Sequence, residues 1–194
     1  FETRGAVSVA GRLTARPVTS SGAHTVRGRL KADTVKISGS WKVGGDVEAD
    51  RCEIRGSFEV SGLINAEQIE VELDGSRSSA REIGGSKIVV KKGSSFTRWW
   101  RKGGRLKVRS IEGDEISLEA TGAKIVRGNR VEIGDRCGID AVEYSESLVV
   151  SPESSVRNQV KTTGEYPTCS ARSLHPVALV DVGRRTDLGD GDAL

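Results

Sequence analysis

Apolar residues in this chain come in pairs two positions apart with a polar residue between them. Val35 and Ile37, Trp41 and Val43, Val47 and Ala49 are followed by Cys52 and Ile54, Phe58 and Val60, Ile64 and Ala66. A gap of two puts both side chains of a pair on one face of an extended strand. The pairs begin 6, 6 and 5 residues apart, which makes 17. From Leu13 to Val71 this unit recurs every 17 residues without an insertion: Leu30 to Gly45 reads LKADTVKISGSWKVGG, and Val47 to Gly62 reads VEADRCEIRGSFEVSG. Gly39, Gly45 and Gly56 fall between pairs, where a corner needs unusual backbone angles. Three short strands and three corners per repeat predict one turn of a three-sided parallel β-helix. The general preference for right-handed crossovers between parallel strands makes it right-handed. Seventeen residues cannot hold two helices and their turns, which excludes a helical solenoid.

Stacked turns bring each residue over the one 17 positions back. The predicted columns include Ala15, Ala32, Ala49, Ala66; Val18, Val35, Cys52, Ile69; and Val26, Val43, Val60. The column His24, Trp41, Phe58, ended by Gly75, makes His24 a stacked structural histidine rather than a catalytic one. Lys36, Lys42, Glu48, Glu53 and Glu59 alternate outward and form a solvated wall. Asp33, Asp50 and Glu67 align as an acidic ladder, expected to accept backbone amide bonds at a corner.

After Leu73 the strict period breaks, but the pattern apolar, x, Gly, x, x, apolar, x, apolar continues. It occupies Ile83 to Val90, Ile111 to Leu118 and Val126 to Ile133. The expected architecture is one all-β solenoid domain over residues 1–162 with a loop insertion at 91–107. Its eight or nine turns would make a rod on the order of 40 Å long. No amphipathic capping helix is visible at either end. The end turns should therefore expose strand edges and core, around Val7, Val9 and Leu13 at one tip and Val149 and Val156 at the other.

The insertion, KKGSSFTRWWRKGGRLK, holds seven Lys or Arg, no acid, and three of the chain's eight aromatics. Lys91, Lys92, Phe96, Arg98, Trp99, Trp100, Arg101 and Lys102 form a candidate contact with an anionic membrane surface, where indoles sit at headgroup depth and cations meet acidic lipid. Stacking on single-stranded nucleic acid is disfavoured as the partner. The bland alternative folds the tryptophans back on the solenoid wall.

Composition changes the picture in two ways. With 24 glycines and 29% charged residues, and with no apolar run long enough to span a bilayer, this is β-solenoid chemistry. The net charge of +3 hides a basic first part and an acidic second: residues 1–110 carry 21 basic and 12 acidic groups, residues 111–194 carry 9 and 15. Cys52, Cys137 and Cys169 lack metal or redox spacing, which argues for a reducing, cytoplasmic compartment. No secretory signal is read at Phe1. From residue 163 the pattern dissolves into a Gly/Asp-ended stretch, expected to be a low-order tail to residue 194. With no nucleophile–base pair, phosphate-cradling loop or zinc spacing, an enzyme is not expected, nor is a cofactor or metal.

The steps Ala32-Asp33, Ala49-Asp50 and Ala66-Glu67, then Glu82-Ile83-Gly84-Gly85, Ile111-Glu112-Gly113-Asp114 and Val126-Arg127-Gly128-Asn129, resemble those of the bactofilins, polymer-forming bacterial cytoskeletal proteins. A basic insert between halves and the step Val142-Glu143-Tyr144 are similar to the longer variants of Bacillus-like bacteria. The resemblance covers roughly residues 7–156. It implies a right-handed β-helix that assembles end to end into non-polar filaments without nucleotide, its partner being itself, often at the inner face of the cell membrane. A monomeric adaptor that meets a membrane or protein through the 91–107 loop is the alternative.

Overall fold

The structure is a computed structural model that describes residues 2–74, 76–93 and 105–163. The fold is all-β: among the described residues there is no helix. The strands are β1 (Glu2–Val9), β2 (Leu13–Ala15), β3 (Val18–Val26), β4 (Leu30–Ala32), β5 (Thr34–Val43), β6 (Val47–Leu73), β7 (Arg77–Lys92), β8 (Arg105–Leu118), β9 (Thr121–Ile133), β10 (Gly138–Val150) and β11 (Ser155–Lys161). They form one 11-stranded sheet in the order β1-β3-β5-β6-β7-β8-β9-β10-β11, with β2 on β4 and β4 on β6. Every pairing is parallel, so the chain winds over itself as a β-solenoid of about nine turns.

The early register is the repeat itself: Val18 lies on Val35, Val35 on Cys52, and His24 on Trp41, which lies on Phe58. Its inward columns build one continuous core. Val35, Cys52, Ile69, Ile88, Ile116 and Val131 are all buried. Each apolar side chain so removed from water stabilises the stack by about 1.5–3 kcal/mol. The corner column Gly5, Gly22, Gly39 and Gly56 has φ between +101° and +126°, a region that side chains disfavour. A Cβ on Gly22, Gly39 or Gly56 would also run into the carbonyl oxygen of the glycine one turn before.

Beyond Leu73 the turn length changes. Phe58 donates its N–H to the Ser78 hydroxyl at 3.3 Å, 20 residues on. Ser78 therefore continues the His24–Trp41–Phe58 column; the expected end at Gly75 falls outside the described residues. The extra residues around Asp74 make the difference. Later turns are shorter: Ser117 and Glu132 bond across 15 residues and Arg127 and Glu143 across 16. The shared Gly signature marks this register, with Ile83 on Ile111 and Ile111 on Val126.

His24 is buried between Val7 and Trp41, as stacking requires, and its Nε2 has no hydrogen-bond partner. The acidic ladder works differently from expectation. Asp50 and Arg51 donate their N–H groups to the main-chain carbonyl of Asp33, at 3.0 and 3.1 Å, instead of to its carboxylate. Among the described residues, no helix is long and apolar enough to cross a membrane.

Candidate functional site: open ends and an unneutralised wall

Two features of the surface are not explained by closing the core. The first is the pair of tips. Among the described residues β1 pairs only with β3, and β11 only with β10, so each presents one unpaired edge of N–H and C=O groups. Val9 and Leu13 lie on Val26 and Leu30; the second-turn residues are 3% and 1% exposed, while their first-turn partners are only partly buried. Val7, over His24, is likewise half-buried. A void lined by Val7, Val9, Leu13, His24 and Trp41 lies beneath this turn. The N-terminal tip is thus an apolar stack that ends without a lid among the described residues.

The C-terminal tip is more polar. Val156 continues the inward column over Ile139, half-buried. Gln159 lies over Val142 and Lys161 over Tyr144, so hydrophilic residues take the place of apolar ones in the last turn. Val149 does not belong to the core here. It lies over Glu132 in the outward register and is 61% exposed, while its neighbours Leu148 and Val150 pack on the core. The parity of the strand decides this, because neighbouring residues face opposite sides.

The second feature concerns charge. On most of the outer surface, cations and anions of adjacent turns face each other: Lys31 and Glu48 at 2.7 Å, Lys42 and Glu59 at 3.0 Å, Lys36 and Glu53 at 3.5 Å, Arg127 and Glu143 at 2.8 Å. Arg130 bridges Glu115 and Glu146. Its hydrogen bond and then its charge hold the Glu115 carboxyl below the usual carboxylate range. The wall flanking residues 94–104 breaks this rule. Arg77 lies directly against Arg105. The same register sets Arg81 against Arg109, and Arg109 against Lys124, with Lys107 alongside. All six are exposed. Only Arg81 has an ion pair among the described residues, with its neighbour Glu82 at 3.3 Å. Gly122 and Gly138 leave room for the Arg105 guanidinium to lie across their turns.

Of the expected membrane contact, Lys91 and Lys92 end β7 and are exposed. Phe96, Arg98, Trp99, Trp100, Arg101 and Lys102 lie outside the described residues, as does the tail from residue 164. Arg77, Arg81, Arg109 and Lys124 were not singled out from the sequence. Their mutual approach follows from turns of unequal length and carries no periodic signal.

No protein-family model matches the chain, and no solved structure matches it significantly. Two proteins of Bacillus subtilis (strain 168) are similar to it. The protein named "Uncharacterized protein YhbF" is 42% identical over 84 residues, covering 43% of this chain and 35% of that protein. "Uncharacterized protein YhbE" is 40% identical over 93 residues, covering 47% and 39%. The matched stretches are under half the length of either relative.

Proposed function

We propose that this chain is a structural scaffold of the bactofilin type whose activity is self-assembly, not catalysis. The carrying observation is that, among the described residues, β1 and β11 each leave one parallel edge unpaired, the N-terminal one over a half-covered stack of Val7, Val9 and Leu13. Edge pairing with a like surface on a second copy would satisfy the backbone groups and complete the burial of that stack. The reading needs no nucleotide, metal or cofactor, and places the protein in the cytoplasm.

Electron microscopy and sedimentation of the purified chain test it. Filaments are expected from the wild type, and dispersed particles of unchanged circular dichroism from Leu13→Glu. A wild type that stays monomeric across protein and salt concentration overturns the scaffold reading. The alternative, a monomeric adaptor acting through the 91–107 segment, draws on the unneutralised cations at the end of that segment and beside it, and it predicts that monomer.

A further inference from the structure

We propose that the wall carrying Arg77, Arg81, Arg105, Lys107, Arg109 and Lys124 docks the side of the solenoid onto a bilayer rich in acidic phospholipid. The surface is assembled from three successive turns, those of β7, β8 and β9. It is independent of the end-to-end reading, since none of its residues lies at a tip.

Three observations carry it. Like charges set opposite each other on adjacent strands destabilise a sheet. At several places on this solenoid opposing residues are oppositely charged and paired, whereas the Arg77–Arg105 and Arg81–Arg109–Lys124 stacks set cation against cation. An external anion would relieve that repulsion. Next, the cations are arranged on a flat face. Turns about 4.8 Å apart and a strand rise of about 3.3 Å spread them over roughly 13 Å by 10 Å. Among the other outward positions of that face Ser79 is small, and Gly122 and Gly138 let the Arg105 guanidinium lie flat across them. Finally, no aromatic side chain stands among these outward positions. A single strand of nucleic acid would find phosphate contacts there but no platform for its bases. A planar array of phosphate headgroups fits a flat, unstacked, cationic face better. Acids bordering the patch are already engaged: Glu59, opposite Ser79, pairs with Lys42 at 3.0 Å, Glu82 pairs with Arg81, and Asp140, opposite Lys124 in the next turn, pairs with Arg157 at 3.2 Å.

Each cation near an acidic bilayer contributes a roughly constant increment, so losing two should weaken binding about thirtyfold, or ~2 kcal/mol. Co-flotation of the full chain with vesicles of phosphatidylcholine containing about a third phosphatidylserine, and with phosphatidylcholine alone, tests this. The wild type should float with the acidic vesicles only, and less as salt is raised. Arg109→Gln/Lys124→Gln should bind about thirtyfold more weakly, and it should melt no lower than the wild type because it relieves a like-charge contact. Lys31→Gln/Lys36→Gln, which removes two cations already neutralised by Glu48 and Glu53, should bind within about threefold of the wild type. Sedimentation without vesicles should be unchanged in the Arg109/Lys124 variant, which separates this outcome from any failure of assembly. Equal binding by the Arg109/Lys124 variant and the wild type overturns the proposal. So does binding to neutral vesicles, or binding to an oligonucleotide without binding to acidic vesicles.

Discussion

Replacing Gly39 by alanine should destabilise the solenoid out of proportion to the single methyl group it adds. Gly39 sits at a corner with φ of +118°. Holding a residue with a Cβ there costs about 1–3 kcal/mol in backbone strain. The new methyl would also overlap the carbonyl oxygen of Gly22 and approach its carbon and nitrogen to 3.1 Å, all of them backbone atoms of the neighbouring turn. Moving that turn aside adds about 1–3 kcal/mol. The total of about 2–6 kcal/mol corresponds to a loss of roughly 4–24 °C in melting temperature for a chain of this size. Gly84→Ala is the matched control. Gly84 is also buried, but its added methyl would meet only Asn65 Oδ1 at 3.7 Å and Leu63 Cδ1 at 3.8 Å, which is ordinary contact. Its stability should change by less than about 1 kcal/mol, with a gain from the stiffer unfolded chain as the favoured sign. Circular dichroism on heating and in urea measures both. Equal losses for the two variants would refute the argument that stacked left-handed corners constrain this fold, as would a Gly39→Ala protein as stable as the wild type.

Two further expectations concern titration. Burial, and secondarily the charge of Glu53, pushes the Cys52 thiol up to about 12. The neutral thiol's contribution to stability is therefore complete below the ordinary thiol range and is lost as pH rises toward 12. Cys52→Val should flatten the fall in melting temperature above about pH 9, and a thiol reagent at pH 8 should label Cys52 only after unfolding; prompt labelling of the folded protein would contradict both. Glu115 runs the other way. Its carboxyl is held low by Arg130, so its stabilising effect is present above the ordinary glutamate range and disappears as pH falls through the lowered value. Melting temperatures of wild type and Glu115→Gln measured from pH 7 to 3 should converge at the acid end; a gap that stays constant would refute the coupling.

Much of the fold was legible before any coordinates, for a reason peculiar to solenoids. When each turn lies directly on the last, the period of the sequence is also the list of contacts. The alignment of Val18, Val35 and Cys52, and of Trp41 and Phe58, could be read by stepping 17 residues and is the register observed. The left-handed corners at Gly39 and Gly56 were readable too, because glycine alone takes that φ without strain; Gly45, expected to be a third, does not adopt a positive φ and instead closely approaches the Gly28 carbonyl. The apolar character of the N-terminal tip followed from the same columns, since Val7, Val9 and Leu13 are the first members of each.

Only the tertiary structure decided what happens where the period fails. A few extra residues near Asp74 hand the Phe58 column to Ser78, and no local pattern announces that shift. Strand parity at the far end turns Val149 outward toward solvent and leaves Leu148 and Val150 to pack on the core. The basic wall is the clearest case. Arg77, Arg105, Arg109 and Lys124 are scattered along the chain, and turns of different lengths bring them side by side. A regular repeat encodes its neighbours in its own spacing, whereas a surface formed across an insertion exists only once the backbone has closed around it.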